Sequence, residues 1–281
     1  MRSVAIRKHI FILDRNAVIE ANRINNGEIS GHEKDLRSID MMTAIVSPLL
    51  SAMEGKVQGK RNPKSMRVSF DEEAEIINKF FKLARTDYDI FKKIKRFIPD
   101  VHEELNKKIN IRQTFLKYFY YEFKDAASKR NAKKEYDRFR NLMEECQQPY
   151  DRFALICVAC LFNSEAARGV LKPQQKVKLG DRIYNALADI EKIELIPFIE
   201  AKIKRISYPP LPIVKFVSFD KNLMGLMRLL NPINCKLNDD GISYQIDLSN
   251  IILSMTNIKD NDELISLIVE DFEPKNPSQI K

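Results

Sequence analysis

An apolar run over His9-Ile10-Phe11-Ile12-Leu13 delivers Asp14 at its end and Asn16 two residues later, which predicts a buried strand followed by a helix over Ala17–Arg23. Asn25-Asn26-Gly27 stops that helix. Met41 to Val46 reads as a second short strand. Ser47-Pro48 then opens a helix, with Ser as N-cap and Pro at the first helical position, and this helix carries Glu54 and ends at Gly55. Lys56 to Met66 is basic and punctuated by Gly, the pattern of a loop. From Asp71 to Arg168 the periodicity is helical: Ile76, Phe80 and Leu83 recur at i, i+4 and i+7, Ala154, Val158 and Leu161 follow a similar stripe, and no Gly falls between Gly59 and Gly169. A long helix is predicted over Asp181–Arg205, interrupted by Pro197, and Tyr208-Pro209-Pro210-Leu211-Pro212 is an extended connector. Ile213 to Phe219 is a further strand, ending on Asp220, and Asn222 to Leu230 resumes helix. The tail holds a hairpin signal at Asp239-Asp240-Gly241 and a helix near Asp262 to Glu270.

The pattern predicts an α/β protein with a small, mainly parallel sheet flanked by helices and enlarged by a helical insertion. It reads as one domain over 1–281: first strand–helix units at 1–70, the insertion at 71–180, the last acidic helix and strand at 181–230, and an extension at 231–281.

Composition narrows the partners. The 281 residues carry 47 Lys plus Arg against 39 Asp plus Glu, and a net charge of +8 favours an anionic partner such as nucleic acid. Cationic candidates for phosphate contact are Lys60, Arg61 and Lys64 in the basic loop, and Lys129, Arg130, Lys133 and Lys134 after the aromatic run Phe115–Phe123; Arg15 and Lys221 adjoin the strand-end acids. The alternative for the aromatic segment is a core face with a solvated charged face opposite. Four Cys, at 146, 157, 160 and 235, are too few for a secreted disulfide framework, and no apolar stretch approaches the roughly 20 residues of a membrane helix. A cytoplasmic protein is expected.

The chemistry concentrates in acids. Two strands from opposite ends of the chain finish on Asp14 and Asp220, and two helices bring Glu54 and Asp189. If the strands are neighbours in a parallel sheet, both Asp residues open at the same edge, where open α/β sheets bind ligands. Asp14 equally suits the N-cap of the next helix. Several carboxylates together raise one another's pKa unless a cation intervenes, and oxygen ligands suit Mg²⁺ or Mn²⁺.

These residues resemble the PIN-domain nuclease family. Ile12-Leu13-Asp14-Arg15-Asn16-Ala17-Val18-Ile19 is similar to its opening strand, Ser51-Ala52-Met53-Glu54-Gly55 to its second acidic element, and Val217-Ser218-Phe219-Asp220 to its last. The third acid falls on Asp189, with Asp181 as rival. The resemblance implies that Asp14, Glu54, Asp189 and Asp220 are catalytic metal ligands for Mg²⁺ or Mn²⁺. It further implies that Asn16 and Ser218 support them and that the reaction is endonucleolytic cleavage of RNA, with DNA as the alternative substrate. It covers the two flanks of the chain; the roughly 125 residues between Gly55 and Asp181 exceed the family pattern, as in an enlarged branch of bacterial defence or toxin effectors. An inhibitory or activating partner protein is compatible with such a setting but is not specified by the sequence, and a homodimer sharing a basic groove also fits. The alternative function is a basic RNA-binding or scaffold protein on the same fold.

Other chemistries fit less well. Asp14-Arg15-Asn16 has the spacing of aspartyl phosphatases, but Asn16 cannot transfer the proton that an Asp supplies there. Cys157-Val158-Ala159-Cys160 lies in an apolar helical stripe, so buried structural thiols are expected. His9, His32 and His102 lack a zinc spacing, and there is no Walker-type loop or nucleophile elbow.

Overall fold

The computed structural model describes residues 8–54, 63–86, 98–206, 211–230, 232–238 and 241–273; the side chains of 54, 63–66, 98–107, 202, 205–206, 232–238 and 241–246 are outside that description. The chain divides into two compact units. The first holds 1–105, 192–221 and 235–243, and the second holds 106–191, 222–234 and 244–281.

In the first unit, β1 (His9–Leu13), β2 (Ala44–Ser47) and β3 (Ile213–Val217) form a parallel sheet of order β2-β1-β3. His9 to Leu13 pair in register with Ile213 to Val217, so two segments 204 positions apart become adjacent strands. The central strand must be apolar on both faces, and Ile10 to Leu13 are all buried. Helix α1 (Arg15–Asn25) follows with Ala17, Val18 and Ala21 inward, then α2 (Glu33–Ser38), α3 (Leu49–Glu54) and α4 (Pro63–Phe80). Phe11, Leu13, Val18, Leu36, Val46 and Phe80 meet in one core.

Helix α1 ends where the Asn25-Asn26-Gly27 signal falls. Gly27 takes φ 83°, its N–H donates to Ile24 O (3.0 Å) and Glu28 N–H donates to Arg23 O (3.0 Å), a Schellman cap that needs a left-handed residue. Two expectations are corrected. The stretch read as a loop to Met66 is helical from Pro63, because a proline at the first helical position outweighs basic composition. The stripe Ile76–Phe80–Leu83 is replaced by Ala74, Ile77, Phe80 and Phe81, and Leu83 lies exposed beyond the helix.

Asp40 closes this unit's second edge. Its carboxylate accepts the backbone N–H groups of Lys82 (2.9 Å), Leu83 (2.8 Å) and Ala84 (2.8 Å), which brings Arg85 into parallel bridging with Ile45 beside β2. Partial burial opposes the charged form, yet those three donors and Arg37 outweigh it and hold the carboxyl below its ordinary 3.8. The stabilisation is therefore present above pH 3.8 and is lost as the pH falls below it. Asp40→Ala should cost about 1–3 kcal/mol in denaturant unfolding at neutral pH. The gap to wild type should narrow when unfolding is repeated in strong acid, whereas an equal gap at both pH values counts against the carboxylate clamp.

The second unit is helical. Helix α5 (Ile98–Glu122) enters it at residue 106, followed by α6 (Ala132–Glu145), α7 (Arg152–Leu161) and α8 (Glu165–Leu171). The aromatic run is sorted by helical periodicity: Phe115, Phe119, Tyr120 and Phe123 are buried, while Tyr118 and Tyr121 are exposed. Phe139 of α6 packs edge-on to Phe115 (5.7 Å between centroids) and Phe119 (6.2 Å). Every residue of α7 is buried, including Cys157 and Cys160. Burial pushes the Cys157 thiol well up and that of Cys160 to about 12, so both stay protonated, as packing residues do.

Helix α9 (Leu179–Ile206) runs through Pro197, with residues up to Glu191 in the second unit and the rest in the first. Helix α10 (Lys221–Leu229) is followed by β4 (Pro232–Asn238) and β5 (Gly241–Ile246), which pair as a two-stranded sheet, and by α11 (Leu248–Leu253) and α12 (Asp262–Phe272). The tail is tied to the helical unit: Tyr136 Oη donates to Asp271 Oδ2 (2.8 Å), and Arg140 pairs with Asp271 (3.2 Å). Among the described residues no single helix is long and apolar enough to cross a membrane; the bent pair α7–α8 reaches the required length and composition only as two pieces at 109°.

Candidate acidic site at the sheet edge

Strand β1 and strand β3 run parallel and stay in register to Leu13 opposite Val217, so the residues that follow them leave from one edge. Asp14 N–H donates to Val217 O (3.0 Å), which carries the pairing one step past the strands and sets Ser218 beside Asp14. Each strand then turns directly into a helix, β1 through Asp14 into α1 and β3 through Ser218-Phe219-Asp220 into α10.

Asp14 is fully buried. Its Oδ1 accepts the N–H of Ala17 (2.8 Å), so it caps α1, and its Oδ2 accepts the Ser218 hydroxyl (2.5 Å). A carboxyl group shut away from water needs such partners. Ser218 Oγ in turn accepts the N–H of Asp220 (3.1 Å), which fixes the turn that presents the half-buried Asp220. Three of the expected site residues thus form one chain of contacts, Asp14–Ser218–Asp220. Ser218→Ala should cost about 1–3 kcal/mol, because it strips a hydroxyl donor from a buried carboxylate. Urea unfolding checks this, and a loss within error would mean that the hydroxyl is dispensable to the edge.

The remaining expected residues stand as follows. Asn16 is exposed on the first turn of α1, so it meets solvent rather than the Asp14 carboxylate in the described contacts. Glu54 ends α3, and its side chain is outside the described residues. Ser47 Oγ accepts the N–H of Leu49 (3.1 Å) at the entry to α3; the helix begins at Leu49, so Pro48 precedes it rather than taking the expected first helical position, and Ser47 still belongs to β2. Asp189 and its rival Asp181 are half-buried on the part of α9 that belongs to the second unit, whereas Asp14 and Asp220 belong to the first.

Among the cations, Arg15 is half-buried at the start of α1 and Lys221 is exposed at the start of α10. Lys60 and Arg61 lie outside the described residues, as does the Lys64 side chain on α4. On the helical unit Lys129 pairs with Asp260 (2.9 Å) and Lys133 with Asp137 (3.3 Å), while Arg130 and Lys134 are exposed. The pattern of charge in the sequence could not reveal these pairings, since Asp260 is 131 positions from Lys129. It also missed His32, whose ring stacks on Phe219 at 3.9 Å between centroids, next to the strand-end turn.

The resemblance implies Mg²⁺ or Mn²⁺ here. Among the described residues no group of three or more His, Cys, Asp or Glu side chains is placed to hold a metal ion. The described donors at this edge are the carboxylates of Asp14 and Asp220. Hard oxygen donors of this kind suit Mg²⁺ or Mn²⁺, and Asp220, half-buried, is the one of the two that meets solvent, whereas both Asp14 oxygens already accept hydrogen bonds. Comparison with protein-family models, with curated proteins and with solved structures finds no match to this chain.

Proposed function

We propose that the chain is a metal-dependent nuclease of PIN-like type that hydrolyses RNA phosphodiester bonds, with Asp14 and Asp220 as the acids of the sheet edge. The observation that carries this reading is the parallel pairing of β1 with β3, which sets two strand-end acids at one edge although they are far apart in sequence. Asp14 and Asp220 would hold the ion, with Glu54 added by the resemblance. When bound, Mg²⁺ or Mn²⁺ supplies a water acidified toward hydroxide and a positive charge facing the leaving oxygen.

The chain's own residues supply position and charge. The Ala17 N–H and the Ser218 hydroxyl hold the Asp14 carboxylate in one orientation, so no rotamer freedom is lost when a phosphodiester arrives. Ser218 fixes the Asp220 turn through the same oxygen. The exposed Lys221 beside Asp220 is placed to pair with a phosphate. A cytoplasmic toxin or defence effector, held by an inhibitory or activating partner or working as a homodimer, is the setting that agrees with this chemistry.

One observation favours a second reading. Asp14 is shut off from solvent and both of its oxygens already accept hydrogen bonds, as expected of a structural tie between α1 and β3 in a basic RNA-binding or scaffold protein. Labelled RNA and DNA incubated with Mn²⁺, Mg²⁺ or EDTA separate the two: metal-dependent cutting that Asp14→Asn loses supports the nuclease, and binding without cutting in every condition supports the scaffold.

A further inference from the structure

We propose that the cleft between α5 and the end of α6 holds an unpaired base of single-stranded RNA stacked on Tyr118, with Tyr121, three residues further along α5 and outside the cleft lining, as the stacking surface for a neighbouring base. The site belongs to the helical unit alone and does not depend on cleavage at the sheet edge.

The aromatic run of α5 leaves two rings outside the core. Tyr118 is 47% exposed and Tyr121 88% exposed, while Phe115, Phe119 and Phe123 are buried. Three residues apart on one helix, the two rings are neighbours on its surface and offer aromatic faces to water. Beside Tyr118 lies a cleft of about 500 Å³, with Asn110 and Thr114 on the α5 wall and Glu145, Cys146 and Gln147 on the other. Helix α6 ends there in a Schellman cap: Gln147 N–H donates to Glu144 O (3.0 Å) and Gln148 N–H to Met143 O (2.9 Å). The left-handed position of that cap is filled by Gln147, at φ 53°, where Gly is the usual residue. The chain thus keeps an amide side chain at the cleft in a conformation that favours none.

The lining matches a planar heterocycle better than an aliphatic helix. Asn110 and Gln147 each offer donors and an acceptor, Thr114 a hydroxyl and Glu145 an acceptor, all beside one aromatic face. Bases in single strands are held in this way, by stacking on Tyr and by hydrogen bonds to their edges. A partner helix would want a continuous apolar stripe, and Ile111 is the one aliphatic residue of this lining. Lys108, Lys117 and Lys124 are exposed on or just beyond α5 and form no ion pair with any described residue, which leaves them for phosphates. Glu145 takes part through hydrogen bonding to base N–H groups, so its negative charge is compatible with RNA at the cleft.

Cys146 supplies a reporter within the lining. Burial first, then Glu145 and Glu122, push its thiol up, so alkylation is followed at alkaline pH and read at the Cys146 peptide. The experiment measures anisotropy of a fluorescein-labelled short single-stranded RNA in EDTA, where no metal-dependent cutting occurs. Tyr118→Ala with Tyr121→Ala should weaken binding about tenfold or more. Tyr118→Phe should retain affinity, the thermal midpoint should not change because both rings are exposed, and saturating RNA should slow alkylation of Cys146. Unchanged affinity of the double variant together with unprotected Cys146 overturns the proposal and leaves the face to a protein partner. Cleavage is scored separately, on wild type with Mn²⁺ against EDTA, and the Tyr118→Ala, Tyr121→Ala variant is read for binding in EDTA alone, so failure of the cleavage reading and failure of this one are told apart.

Discussion

Asp14→Asn is expected to abolish metal-dependent cleavage of RNA while the protein still unfolds cooperatively, within about 1–2 kcal/mol of wild type. The two halves of that expectation come from the two oxygens of Asp14. Asn caps a helix about as well as Asp, so its amide oxygen can still accept the Ala17 N–H and keep α1 in place. What the amide lacks is charge, and the charge is what would hold a divalent ion against a phosphodiester. Loss of an interaction worth several kcal/mol at the transition state lowers the rate by about a hundredfold or more. Asp220→Asn should do the same, since it removes the other described carboxylate of the edge. Rates are compared by gel with Mn²⁺, Mg²⁺ and EDTA, beside urea unfolding of each variant. Undiminished cutting by either variant would falsify the assignment of these two acids. Asp14→Ala is the poorer test, because it removes the cap and the Ser218 contact together, and any lost activity would be confounded by lost structure.

The largest effect on stability should come from Phe139→Ala, at about 3–5 kcal/mol. Phe139 is fully buried on α6, with Phe115 at 5.7 Å, Phe119, Phe123 and Tyr136 each at 6.2 Å between centroids. Truncation leaves a void bordered by four rings anchored on two helices, and rigid rings refill such a void poorly. The edge-on geometry to Phe115 and Phe119 is lost as well. Calorimetry of wild type and variant gives the measurement. A loss below about 1.5 kcal/mol would mean that the core relaxes into the space, against the close packing described.

The sequence was most legible where one residue type has one physical use. Gly27 supplied the left-handed cap of α1, Ser47-Pro48 marked the entry to α3 to within a residue, and the apolar runs before Asp14 and Asp220 proved to be strands, the second ending at Val217 rather than Phe219. The sorting of Phe115 to Phe123 was half legible: helical periodicity put most rings inside, but which two stayed in water depended on where α6 and α7 lie. Pro63 was masked by the basic residues around it, and Leu83 by a stripe that continues past the end of its helix. The candidate site was legible as residue types rather than as geometry. That β1 and β3 are neighbours is a long-range fact, as are the Asp40 clamp on residues 82–84 and the burial of Asp14. The cleft on the helical unit has no sequence signature, because it needs one face of α5 and the particular cap of α6 at once.

The hydrogen bond from Ser218 to Asp14 closes a loop of 204 residues, and that span sets an order of events in the cell. Translation proceeds from the amino end at about 5–20 residues per second, so Asp14 is made roughly 10–40 s before Asp220. Through that interval β1 can pair with β2 but not with β3, and Asp14 stands without its hydroxyl donor. A chain broken off before Ile213 keeps the helices of residues 106–191 and the strand that carries Asp14, yet it lacks the other half of the acidic edge. Completion of this edge therefore waits on synthesis of the β3 segment, some two hundred residues after β1.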